Sequence, residues 1–207
     1  MSIKTEQSME DSILETAERL FLERGFALTS TTEIAKAVGC NQALVHYYFR
    51  TKDNLFNTIF EQKFKTFFQH IFELENLEEL PFIEKLKHII ESHFDMLKAN
   101  PKLPLLIVSE LSRRPEQVNV LREKLQTVTQ RLFEKLNTEL EVEIQSGRIR
   151  SITLMDLIIT MVSLNVSLFL LMPIASQIAS LDDTQKEFFV KHRREEHVTI
   201  ITNSLRP

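Results

Sequence analysis

The chain has little from which to build anything but helices. Three glycines and six prolines among 207 residues leave few sharp turns. No stretch alternates apolar and β-branched residues with polar ones as a half-buried strand does. The expectation is an all-α protein. Cys40 is the one cysteine, which excludes an intrachain disulfide and suits a reducing cytoplasm. It also has no second cysteine to pair with as a redox switch. Positive charge is not in excess either: the formal net charge is −4, so the whole molecule is not a basic nucleic-acid binder. The acidic, polar start, MSIKTEQSMEDSILETAERLF, carries no apolar signal core. The most apolar run, Leu157 to Met172, covers 16 residues and is broken by Thr160, Ser163, Asn165 and Ser167. A membrane span needs about 20 predominantly apolar residues, so a buried helix and no membrane association are expected.

Catalytic patterns are missing as well. There is no glycine-rich phosphate loop, no G-x-S-x-G and no Cys–His pairing. His192-Arg-Arg-Glu-Glu-His197 has the look of a zinc motif, but its histidines are five apart, about 140° round a helix, and do not share a face. His88 and His93 fail on the same spacing. A solvated charged face accounts for HRREEH. No metal, cofactor or catalytic residue is expected, and the chain is not read as an enzyme.

What is present is a succession of about nine helices. Ile13, Ala17, Leu20 and Phe21 share a face of helix 1, from about Met9 to Arg24, and Gly25 ends it. Ser30-Thr31-Thr32-Glu33 is a capping box that starts helix 2 at Thr31, and Gly39 ends it. Asn41 is an N-cap for helix 3, which Leu44, Val45 and Phe49 anchor. Thr51 caps helix 4, whose apolar stripe runs from Leu55 to Phe72 in a helix ending near Glu75. The stretch Ser30–Phe56 thus reads as two short helices, a tight turn and the start of another helix. Asn41, Gln42, His46, Tyr47 and Tyr48 lie on its second helix with few apolar neighbours. That is how a helix-turn-helix presents a surface to DNA.

The charge of residues 1–60 does not help this reading in bulk. Lys4, Arg19, Arg24, Lys36, Arg50 and Lys52 are outnumbered by Glu6, Glu10, Asp11, Glu15, Glu18, Glu23, Glu33 and Asp53. Binding to DNA requires the cations to gather on one face, and Lys36, Arg50 and Lys52 flank helix 3.

ILETAERLFLERGF followed by TSTTEIAKAVGCNQALVHYYFRTKDNLF resembles the N-terminal domain of the tetracycline-repressor (TetR/AcrR-type) family of transcription regulators. The likeness covers Asp11 to Phe60 and includes Gly25, Ile34-Ala35, Gly39, the aromatic end of helix 3 and Thr51-Lys52. Cys40 and His46 depart from the family, which often has valine and tyrosine there. The resemblance implies a three-helix helix-turn-helix DNA-binding domain over residues 1–51 and a C-terminal helical bundle over 52–207, with helix 4 as connector. It implies phosphate contacts from Thr31, Tyr47 and Lys52, and base contacts from Asn41, Gln42 and Ala43 on the leading turn of helix 3. Gln42 can pair bidentately with adenine, and the Ala43 methyl can touch a thymine methyl. His46 is placed to touch a base or a phosphate, and Tyr48 to pack or to meet a phosphate.

The C-terminal helices are less legible. Pro81 suits the first turn of helix 5, Asn100-Pro101 begins helix 6, helix 7 runs from about Pro115 to Gln145, and helix 8 covers about Thr153 to Ile178. Asp182-Asp183-Thr184 offers caps for helix 9, to about Asn203. Helix 8 is apolar almost all round, which implies burial on more than one side. By family resemblance helices 8 and 9 form a homodimer interface, the partner is double-stranded DNA with a palindromic operator, and the bundle holds a small apolar or amphipathic effector. Candidates to line that site are Phe67, Phe94, Phe133, Met155 and Met161, with Asn165 as a polar handle; plain core explains the same residues. Asp156, Thr160, Ser163 and Ser167 make a polar seam that lines a pocket or bonds to neighbouring helices. The expected function is a ligand-responsive repressor in the cytoplasm. An activator of the same fold, or a helical binding module without DNA binding, are the alternatives.

Overall fold

A computed structural model describes residues 8–72 and 80–207, leaving aside the side chains of residues 64, 67–72, 117, 121, 124, 125, 127 and 128. Among the described residues there are nine α-helices and no strand. They are α1 (Met9–Arg24), α2 (Thr31–Val38), α3 (Gln42–Phe49), α4 (Lys52–Phe72), α5 (Phe82–Ala99), α6 (Leu103–Arg113), α7 (Glu116–Gln145), α8 (Leu154–Ile178) and α9 (Asp183–Asn203). The expected end of helix 4 near Glu75 lies outside the described residues.

Short polar side chains set most of these boundaries by accepting backbone N–H groups that a helix start leaves free. Ser8 accepts from Asp11 at 3.1 Å, Asn41 from Leu44 at 2.9 Å and Thr51 from Asn54 at 3.0 Å. Ser30/Glu33, Thr153/Asp156 and Asp182/Gln185 form full capping boxes. Pro81 stands at the N-cap of α5, one residue outside the first turn expected for it, and gives no side-chain cap. Gly25 (φ 84°, ψ 158°) and Gly39 (φ 84°, ψ 26°) hold conformations that a Cβ disfavours. They turn the chain out of α1 and α2.

The chain forms two compact units. The first takes in the chain as far as Phe64 together with Leu106–Lys124; the second takes in Lys65–Leu105 and Leu125–Pro207. This division differs from a boundary at residue 51. Leu55, Phe56 and Ile59 of α4 and Leu106 of α6 share one buried core with Ile13, Phe21, Ile34, Val45 and Phe49 of α1–α3. The apolar faces of α1–α3 alone do not complete it.

In the second unit, α5, α8 and α9 pack together around Ile90, Phe94, Leu97, Phe169 and Ile201. A polar group sits among these apolar side chains. Asn165, fully buried, donates to the Ile90 carbonyl at 3.1 Å and to His93 Nδ1 at 3.0 Å, and accepts from His197 Nδ1 at 2.7 Å. Arg194 adds a surface tie from α9 to Asp95 and Glu91 of α5. HRREEH is therefore more than a solvated face. Its His197 is 1% exposed and its Arg194 is paired. One turn of helix carries a core residue and surface cations together.

Helix α8 is covered on one side only. Leu157, Met161, Asn165, Phe169 and Ser176 are buried. Met155, Ile159, Leu171, Ile174 and Ile178 remain exposed, and at 100° per residue they lie on the opposite side of the helix. By length and composition alone α8 is apolar enough to cross a membrane; its middle is tied into the bundle through Asn165. Three of the four residues of the polar seam bond back to their own helix. The Asp156 carboxylate accepts from the Thr153 hydroxyl at 2.7 Å, Thr160 donates to the Asp156 carbonyl at 2.7 Å, and Ser167 donates to that of Leu164 at 3.1 Å.

Candidate nucleic-acid interface

Helix α3 is fixed from beneath and open above. Val45 and Phe49 are 1% and 5% exposed, while Asn41, Gln42, Ala43, His46, Tyr47 and Tyr48 all face solvent. Tyr47 is 68% exposed, against 37% for Tyr48, which it meets edge to face at 5.2 Å. The phenol of Tyr47 is thus presented outward on a rigid ring. Beside it, at the start of α2, Thr31 is half-buried and Thr32 exposed.

These residues are joined. Gln42 Nε2 donates to Thr31 Oγ1 at 3.1 Å, and Thr32 Oγ1 donates to Gln42 Oε1 at 3.0 Å. Gln42 Nε2 also lies 3.1 Å from His46 Nε2, and His46 Nδ1 lies 2.8 Å from the Arg50 carbonyl. The N-terminus of α2 and the outer face of α3 therefore form one hydrogen-bonded surface. Spacing within each helix could not show this, because Gln42 and Thr31 are eleven residues apart.

Lys52 has a use that its position in the motif did not suggest. Its ammonium turns inward, donates to the carbonyls of Phe26 and Thr29 at 2.9 Å each, and lies 4.2 Å from the centroid of the Phe26 ring. Two of its three N–H groups hold the α1–α2 loop. Arg114 lies over the same ring at 4.1 Å and pairs with Asp53 and Glu110. Lys52→Met is expected to destabilise this unit by about 1–3 kcal/mol, from two charge-assisted hydrogen bonds and a cation–π contact. Thermal unfolding checks this. An unchanged melting temperature with weaker DNA binding would return Lys52 to a phosphate role alone.

The surface charge is also arranged locally. Arg19 pairs with Glu23 and Arg24 with Glu33. Hydrogen bonds from Ser30 hold the Glu33 carboxyl below its ordinary range, so it stays charged at the start of α2. Lys36 and Arg50 are exposed beside α3 with no ion pair to any described residue.

Comparison with known proteins agrees with this geometry. Residues 13–59 match the family described as "Bacterial regulatory proteins, tetR family". The chain is 28% identical over 138 residues to the fatty acid metabolism regulator protein of Bacillus subtilis (strain 168), covering 67% of this chain and 69% of that one. It is 39% identical over 64 residues to the HTH-type transcriptional regulator AcrR of Shigella flexneri, 30% of each. The chain belongs to the TetR family of transcriptional regulators. It is accordingly a DNA-binding regulator through its helix-turn-helix, and not an enzyme. The likeness extends to the whole fold. The crystal structure of the regulator FadR from Bacillus subtilis in complex with stearoyl-CoA superposes with a TM-score of 0.63 at 22% identity, over 90% of this chain and 96% of that one.

The described residues expected to line an effector site are divided between core and surface. Phe94 is fully buried against Phe169 at 5.3 Å and His197 at 5.7 Å. Asn165 has both amide hydrogens committed. Met161 is buried, Met155 is 64% exposed and Phe133 is 37% exposed; the side chain of Phe67 lies outside the described residues. None of the other five lines a cavity of about 550 Å³ in the second unit. Phe169, Met172 and Val190 floor that cavity, and Lys98, Lys102 and Lys186 contribute to it, with Glu187 as the acid among its lining. Sequence reasoning missed it because its walls come from α5, α8, α9 and the α5–α6 loop. The signal available was the pair of lysines around Asn100-Pro101.

Proposed function

We propose that this regulator is a cytoplasmic homodimeric repressor that holds a palindromic operator and is released by an amphipathic anion. Two α3 helices enter successive major grooves about 34 Å apart. On each, Asn41, Gln42 and Ala43 meet base edges with His46 beside them, while Thr31, Tyr47, Tyr48 and the start of α4 at Lys52 set the register on phosphates. The observation that carries this reading is the face of α3, which keeps Val45 and Phe49 in the core and every polar or phenolic group outside. Lys36 and Arg50 supply free cations beside it.

The dimer forms through α8 and α9. The stripe of α8 and Phe188 and Phe189 of α9 leave large apolar side chains exposed, and a second copy is the natural cover for them. The effector occupies the cavity over Phe169, with its acyl or other apolar part on Met172 and Val190 and its negative group toward the lysines. A relative crystallised with stearoyl-CoA supports that chemistry. A ligand that favours one spacing of the two reading heads shifts the population away from the DNA-competent one.

A gel shift with the DNA upstream of the gene and its neighbours tests the reading. Gln42→Ala is expected to lower sequence preference, and Tyr47→Phe to weaken all sequences alike. Added stearoyl-CoA is expected to release the DNA. Unchanged binding by both variants would refute the site. Release by neither stearoyl-CoA nor free stearate would refute the effector class and leave the DNA reading standing.

A further inference from the structure

We infer that His46 decides which bases α3 accepts, by holding the Gln42 amide so that it offers an acceptor and no donor. This rests on the proposed role of α3 as the reading helix. The Arg50 carbonyl can only accept, so His46 Nδ1, 2.8 Å away, carries a proton. In the neutral ring Nε2 is then an acceptor. Of the two ends of the Gln42 amide, only the nitrogen can face it, at 3.1 Å. The other amide hydrogen goes to Thr31 Oγ1, and the oxygen receives the Thr32 hydroxyl. A primary amide has two N–H groups and two oxygen lone pairs. Both N–H groups and one lone pair are used, and one lone pair is left for DNA.

The backbone aims that carbonyl. Arg50 has φ 62° and ψ −55°, and the Thr51 N–H donates to the Phe49 carbonyl at 2.6 Å. This is a γ-turn of positive φ, rare and strained for a residue with a side chain. It is held between buried Phe49 and the Thr51 cap of α4.

The consequence is a specificity that the motif alone does not give. Bidentate recognition of adenine needs a free amide N–H for N7 as well as the oxygen for the N6 amine. The held amide lacks the first. A lone acceptor matches the major-groove amines of adenine N6 and cytosine N4, and is opposed by guanine O6 and thymine O4. Wild-type protein therefore accepts A and C comparably at the Gln42 position and rejects G and T. Removing the imidazole frees one N–H and converts the preference to adenine.

The test is selection of the full-length protein on a randomised operator pool, sequenced before and after binding, with wild type, Gln42→Ala and His46→Ala. One position per half-site is expected to become indifferent in Gln42→Ala. There, wild type should take A and C within about threefold of each other, and G and T should fall by roughly five- to a hundredfold. In His46→Ala, A should exceed C by roughly fivefold or more. An A-over-C preference in wild type equal to that of the variant overturns the inference. If wild type selects no sequence, the reading of α3 fails. The lock is then judged by ¹⁵N NMR of the His46 ring in the free protein at neutral pH. A protonated Nδ1 and an Nε2 shift altered by Gln42→Ala support it, and a protonated Nε2 refutes it.

Discussion

Ile159→Glu combined with Ile174→Glu is expected to yield a folded monomer whose operator affinity is roughly a hundred- to ten-thousandfold below the parent's. Ile159 is 57% exposed and Ile174 58%, so neither supports the subunit core and the fold should tolerate the change. In the dimer both would place uncompensated charge in a dehydrated apolar interface. Affinity falls because one half-site contact no longer raises the local concentration of the other, an effect worth about 10²–10⁴. Light scattering after size exclusion gives the mass, and fluorescence anisotropy on the operator gives the affinity. A dimer that survives both glutamates would place the interface elsewhere.

The second large effect concerns acid. Burial holds His93 and His197 at a pKa of about 4, against 6.5 for an ordinary histidine. Folding therefore requires both to be neutral. Their contribution is fully present above the unfolded-state value near 6.5 and is lost as pH falls toward 4. A shift of that size in one histidine corresponds to about 3 kcal/mol. The two share Asn165, so their effects do not simply add. Denaturant unfolding at pH 7.5 and 5 should show the loss well before surface carboxylates titrate. His93→Gln keeps an acceptor for the Asn165 amide and removes one titration, and should shrink the loss. An equal drop in the variant would place the acid sensitivity elsewhere.

The helix-turn-helix was legible because its instructions are local. Ser30, Asn41 and Thr51 each cap a helix that begins at the next residue, and Gly25 and Gly39 take conformations that favour glycine. Long-range contacts were not legible in this way. Leu106 and Arg114 join the first unit from α6 and its end. Lys52 turns away from the surface because the Phe26 and Thr29 carbonyls lie within its reach. Asn165 reads as a ligand handle in a list of polar core residues, yet its hydrogens are taken by groups 72 and 75 residues away. Phe94 and Phe169 have the same spacing signature and share one core, but Phe169 also borders a cavity. Periodicity identifies the buried face of a helix; it does not say whether that face meets another side chain or a space.

DNA is expected to be held by the exposed face of α3 and the cations beside it. The most direct measurement is operator affinity as a function of salt. Lys36 and Arg50 on two heads make four cation–phosphate contacts, so log K should fall against log salt with a slope of about −3 to −4. Lys36→Ala should make that slope shallower by about two, one contact from each head. A slope near zero would contradict binding through the cations beside α3.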